Sequence, residues 1–67
     1  MNKVAGYRKM LGMTQQSMAV KFNISTQAYR TKENGKVNFT NKEMCLFRDL
    51  IREDLFPKIT IDEIFFS

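Results

Sequence analysis

The sequence has no histidine and no tryptophan, and it holds one cysteine, one proline and three glycines in 67 residues. Each scarcity excludes something. Without histidine the most frequent general base is missing, and the lone thiol, Cys45, has no obvious activator and reads as a core residue on the apolar face or edge of the fourth helix. No His/Cys cluster offers metal-ligand spacing and no Gly-rich loop offers a phosphate cradle, so neither an enzyme nor a metal or cofactor site is expected. One cysteine cannot close an internal disulfide, and small secreted scaffolds rely on several, which points to a reducing cytoplasm. The N-terminus carries Lys3 but no apolar signal-peptide core. The longest apolar run, Met44-Cys45-Leu46-Phe47, is far below the roughly 18 residues of a membrane span, so no membrane contact is expected.

What is present suits one small globular domain over residues 1–67. Hydrophobic residues make up 43%, charged ones 27% and aromatic ones 12%, a composition that supports a packed core rather than a disordered tail. The net charge of +4 conceals a division. Residues 1–36 carry seven cations (Lys3, Arg8, Lys9, Lys21, Arg30, Lys32, Lys36) against the single acid Glu33. Residues 37–67 carry four cations (Lys42, Arg48, Arg52, Lys58) against six acids (Glu43, Asp49, Glu53, Asp54, Asp62, Glu63). The basic half is the candidate nucleic-acid surface, because Lys and Arg that neutralise phosphates release counterions.

Sparse Gly and Pro favour helices over hairpins. Val4, Tyr7 and Leu11 share one helical face in a first helix spanning about residues 2–12, which Gly12 ends. A second helix begins at Thr14 and runs to Phe22, with Met18, Ala19 and Phe22 inward; a third begins at Ser25 and runs to Glu33, with Ala28 and Tyr29 inward. A fourth covers about residues 41–55, with Met44, Phe47, Leu50, Ile51 and Leu55 as its apolar stripe and Arg48, Asp49, Arg52 and Glu53 facing water. Pro57 prevents its continuation. Thr14, Ser25, Thr40 and Thr60 are N-cap types, and each is flanked by a hydrophobic-staple pair: Met13 with Met18, Ile24 with Tyr29, Phe39 with Met44, Ile59 with Ile64. Thr40 and Thr60 add capping-box acids at Glu43 and Glu63. For residues 59–66, alternation at Ile59 and Ile61 suits a strand while the Thr60 box suits helical turns; the helix is the preferred reading, giving a five-helix, all-α domain.

Asn23-Ile24-Ser25 is a connection of helix-turn-helix length, and Asn23 tolerates a left-handed corner. Together, Arg8, Leu11-Gly12-Met13-Thr14-Gln15, Ala19, Ser25, Tyr29 and Glu33-Asn34-Gly35-Lys36 resemble the Cro/CI family of phage repressors over about residues 3–37, with a helix-turn-helix at about 14–34. The resemblance implies a compact five-helix repressor-like fold whose third helix enters the major groove of double-stranded operator DNA. On it, Thr26, Gln27, Arg30 and Thr31 are base-contact candidates, Gln15, Lys21, Asn34 and Lys36 are backbone-contact candidates, and Arg8 with Glu33 forms a structural ion pair. Departures from the family pattern are Lys32 at a commonly apolar position, where its stem covers the core edge and its ammonium reaches solvent, Asn23 in place of a turn glycine, and the short Thr26.

Ile64, Phe65 and Phe66 crowd three large apolar groups at the chain end. Ile61 and Ile64 are expected in the core, and Phe65 and Phe66 are candidates for contact with a second copy or another partner. Two functions fit: a Cro-like transcriptional regulator, acting as monomer or homodimer in a bacterial cytoplasm, or a modulator of repression that grips a CI-type repressor and alters its operator binding. The resemblance places either in a lysis/lysogeny switch.

Overall fold

The computed structural model describes residues 2–66; Met1 and Ser67, the ends of the expected 1–67 domain, lie outside the described residues. In chain order the elements are α1 (Val4–Met10), α2 (Gln15–Phe22), α3 (Thr26–Glu33), α4 (Asn41–Asp54) and α5, a π-helical turn over Asp62–Phe66. No strand occurs among the described residues, and the stretch left open between strand and helix forms a helical turn over Asp62–Phe66, with Ile59 and Thr60 outside it. The radius of gyration, 10.7 Å, is close to the roughly 10.9 Å expected of a compact chain this long.

Helix starts follow the capping residues. The Thr14, Ser25 and Thr40 side chains accept from the backbone N–H three residues on. In α4 the Glu43 carboxylate accepts in return from the Thr40 N–H at 2.9 Å, and Thr60 and Glu63 repeat the exchange at 3.3 Å. Thr14 has an additional reciprocal partner that the sequence does not advertise: its N–H donates to the Ser17 hydroxyl at 3.0 Å. The ends of α1, α2 and α3 share one device. Gly12, Asn23 and Gly35 adopt φ of 73°, 59° and 84°, and the following N–H of each reaches back five residues, Met13 to Arg8, Ile24 to Ala19 and Lys36 to Thr31. α1 is shorter than expected: the Asn2 side chain accepts from the Val4 N–H, and the helix starts only there.

The buried core joins Val4 of α1, Met18, Ala19 and Phe22 of α2, Tyr29 of α3, Phe39, Phe47 and Ile51 of the α4 region, and Ile59, Ile64 and Phe65 of the C-terminal stretch. All eight staple residues lie in this core or against it. Its centre is a set of edge-to-face rings: Phe22 with Tyr29, Phe39 and Phe47, and Phe65 with Phe39 at 5.3 Å and Phe47 at 6.0 Å.

Four expectations are corrected by this packing. Phe65 is a core residue and is covered by the protein's own rings; only Phe66, 70% exposed, remains open at the chain end. Lys32 does not send its ammonium to solvent, but turns it onto both Glu43 oxygens at 2.6 and 2.8 Å, fastening α3 to α4. Arg52 does not simply face water: its Nε donates to the Ile59 carbonyl at 2.7 Å and ties α4 to the approach to α5. Cys45 is half-buried at the margin and outside the buried core. None of the described helices is long and apolar enough to cross a membrane.

Candidate nucleic-acid interface

α2 and α3 pack directly on each other. Between them the left-handed Asn23 reverses the chain, and the Ile24 N–H bond to Ala19 fixes the corner. Tyr29 is fully buried beneath α3, so the helix has one possible roll about its axis: Gln27 and Arg30 face outward and are exposed, while Thr26 and Thr31 stand at the margins, half-buried. The Thr31 hydroxyl donates to the Ala28 carbonyl at 2.8 Å, so toward a base it offers its acceptor lone pairs and its methyl. Gln27 has no side-chain hydrogen bond among the described residues.

A polar network anchors this face. Arg8 of α1 is only 9% exposed and spends its guanidinium on two bonds to Glu33, at 2.8 and 3.1 Å, and one to the Met13 carbonyl at 2.9 Å. The expected Arg8–Glu33 pair is therefore present and joins α1 to the end of α3. Gln15, at the start of α2, donates from Nε2 to Glu33 Oε1 at 3.1 Å and accepts from Arg30 Nε at 3.3 Å. The spacing of the sequence gives no sign of these two contacts, which join residues 18 and 15 positions apart.

Electrostatics follow from these bonds. Burial pushes the Glu33 carboxyl up, but the groups around it, the Arg8 guanidinium foremost, then the neighbouring Tyr29 hydroxyl and the Gln15 amide, outweigh burial and hold it below the usual carboxylate range. The bond to Glu33 raises Arg8 above the ordinary guanidinium value against the opposing effect of burial. The Tyr29 hydroxyl is buried beside this carboxylate without completing a hydrogen-bond geometry; burial first, and the neighbouring negative charge second, push its ionisation far up. Glu43 is likewise pushed up by burial and carried below the usual range by Lys32 and the Thr40 amide.

The remaining candidates flank the pair of helices. Lys21 near the end of α2, and Asn34 and Lys36 just after α3, are all exposed. Lys36 follows the left-handed Gly35, and its N–H is tied to Thr31, so its backbone is fixed while its ammonium has no partner among the described residues. Elsewhere, Phe66 and the half-exposed Val37 border a cleft of about 260 Å³ whose floor includes Phe39 and Met44. Among the described residues no group of His, Cys, Asp or Glu is placed to hold a metal ion. No protein-family model matches the chain, and no curated protein or solved structure matches it significantly.

Proposed function

We propose that this protein is a DNA-binding regulator of the Cro/CI type, without enzymatic activity, in which α2 and α3 form a helix-turn-helix and α3 enters the major groove of an operator. The observation that carries the proposal is the rigid, solvent-facing edge of α3. Tyr29 fixes its roll from below, and Arg30 is tethered from the side, while Gln27 stays open for a base edge. Gln27 is suited to adenine and Arg30 to guanine or phosphate, and Lys21, Asn34 and Lys36 flank them as backbone contacts. Seven cations against one acid in residues 1–36 supply the salt-dependent part of the affinity. The regulator acts in a bacterial cytoplasm, within the lysis/lysogeny switch that its family resemblance implies.

Fluorescence anisotropy on DNA from the region upstream of the protein's own reading frame, at two salt concentrations, tests this. Sequence-selective binding that survives physiological salt is expected, and Gln27→Ala should weaken it by about 1–3 kcal/mol without lowering the melting temperature. Weak binding that salt abolishes, together with altered operator binding by an added CI-type repressor, would overturn this reading in favour of a protein-directed modulator.

A further inference from the structure

Asn34 and Gly35 form the one Asn–Gly pair of the sequence; Asn2, Asn23, Asn38 and Asn41 are each followed by a residue that carries a side chain. The carboxamide carbon of an asparagine is a weak electrophile, and the backbone nitrogen of the next residue is the nucleophile nearest to it. With glycine next, no Cβ hinders the approach, and the space where a Gly35 Cβ would stand is open, with no atom beyond the adjoining residues within 4 Å. The Asn34 side chain is exposed and has no hydrogen-bond partner among the described residues, so nothing holds its carboxamide away from the chain.

The backbone acts the other way. Asn34 closes α3 with ψ of −7°, which turns the Gly35 nitrogen away from the Asn34 Cβ, whereas a five-membered ring needs the two eclipsed about the Cα–C bond. The Gly35 N–H also donates to the Lys32 carbonyl at 3.1 Å, and the Lys36 N–H closes the turn over it by donating to the Thr31 carbonyl at 3.0 Å. Attack therefore requires the last turn of α3 to open, and terminal turns are where helices open first.

We propose that Asn34–Gly35 is a site of spontaneous deamidation gated by the last turn of α3, and that the product loses its grip on DNA; only the second part rests on the DNA-binding reading above. Once the turn opens, the Gly35 nitrogen attacks the Asn34 Cγ. A C–N bond forms, the Cγ–Nδ2 bond breaks, and the departing nitrogen carries off the Gly35 amide proton as ammonia, leaving a succinimide. Water then opens the ring at either carbonyl, to an aspartyl residue or to a β-linked isoaspartyl residue with an extra methylene in the main chain. Either product sets a carboxylate at the C-terminal end of α3, where the helix dipole is already negative and where the DNA-binding reading has the amide beside a phosphate. The β-linked form also lengthens the chain between Glu33, held by Arg8, and the left-handed Gly35, so the Lys36 N–H no longer meets Thr31.

The test incubates the full chain at mildly alkaline pH, native and unfolded in guanidinium chloride, with samples taken over weeks. Mass spectrometry of proteolytic peptides should find amide loss at residue 34 far ahead of the other four asparagines, matched by released ammonia, and an isoaspartyl methyltransferase should label the β-linked form. Unfolding should raise the rate by roughly tenfold or more, the factor by which the closed turn withholds the site. No loss at residue 34 in the native chain would overturn the site, and equal rates in both states would overturn the gate.

For the second part, fresh and aged native chain, resolved by cation exchange and checked for fold by circular dichroism, are compared on a DNA site that the fresh protein selects from a randomised pool. The deamidated fraction should bind roughly tenfold more weakly, with a deficit that widens as salt is lowered. Asn34→Gln, whose longer side chain closes a ring far more slowly, should show no decline with age from its own starting affinity. Equal affinity of the fresh and deamidated chains would overturn the loss of grip. If the fresh chain selects no sequence, the DNA reading fails and takes that part with it, while the mass change and the ammonia still decide the modification.

Discussion

Individual side chains in this domain are bound by more constraints than their types suggest. Glu43 completes a capping box with Thr40 and simultaneously receives the buried Lys32 ammonium; the two side chains are only 11% and 13% exposed. Removing its charge leaves a cation with a weakened partner, so Glu43→Gln should lower stability by about 2–4 kcal/mol in urea denaturation. The same carboxylate makes stability depend on pH. Its native ionisation, like that of Glu33, is held below the ordinary value, so the unfolded chain takes up protons first as pH falls. The stabilisation is present in full above the unfolded carboxylate value of about 4.3 and is lost as pH drops through the lower native values. Urea midpoints measured at pH 6, 5, 4 and 3 should fall across the acid end, and Glu43→Gln should flatten that fall.

At the scale of elements, the helices are delimited by short-range chemistry, which is why their positions were legible in the sequence. A threonine or serine at the start of α2, α3 and α4, and a glycine or asparagine just past α1, α2 and α3, act within a few residues, and such signals can be seen without the fold. The left-handed corner at Asn23 is the most demanding of them. Asn23→Gly should leave stability within about 0.5 kcal/mol of wild type, whereas Asn23→Val, β-branched at φ 59°, should cost about 1–2 kcal/mol by thermal unfolding. What escaped the sequence lies across elements. The Lys32–Glu43 and Gln15–Glu33 contacts join residues 11 and 18 positions apart on different helices, which come together where Tyr29 packs against Phe39 and Phe22. Phe65 and Phe66 escaped for another reason. They are adjacent in a π-helical turn, whose phase a 3.6-residue pattern cannot supply, so their burial order was not readable. Of the candidate interface, the outward side of α3 and the Arg8–Glu33 pair were legible, while the bond from the Thr31 hydroxyl to Ala28 and the tether on Arg30 were not.

For the whole molecule, stability should depend steeply on the C-terminal stretch. A domain of 67 residues commonly has about 3–10 kcal/mol to lose. Phe65 meets the rings of Phe39 and Phe47, and α5 is tied to the start of the chain by the Lys3 N–H to the Ile64 carbonyl at 3.0 Å. Phe65→Ala should cost about 3–5 kcal/mol and leave a substantial unfolded fraction at 25 °C by circular dichroism. Phe66→Ser, at a side chain 70% exposed, should stay within about 0.5 kcal/mol of wild type. A comparable loss from both would show that Phe66 is covered in solution.

The cluster of edge-to-face rings has a consequence for how this fold can be watched. Aromatic ring currents shield nuclei above a ring face, and Val4, Met18, Ile51 and Ile64 bury their methyl groups in the same core as Phe22, Phe39, Phe47 and Phe65. A one-dimensional proton spectrum should therefore carry methyl lines displaced upfield of the crowded aliphatic region. With no tryptophan to serve as an optical reporter, those lines are the natural signature of the native core, and they vanish when the rings part.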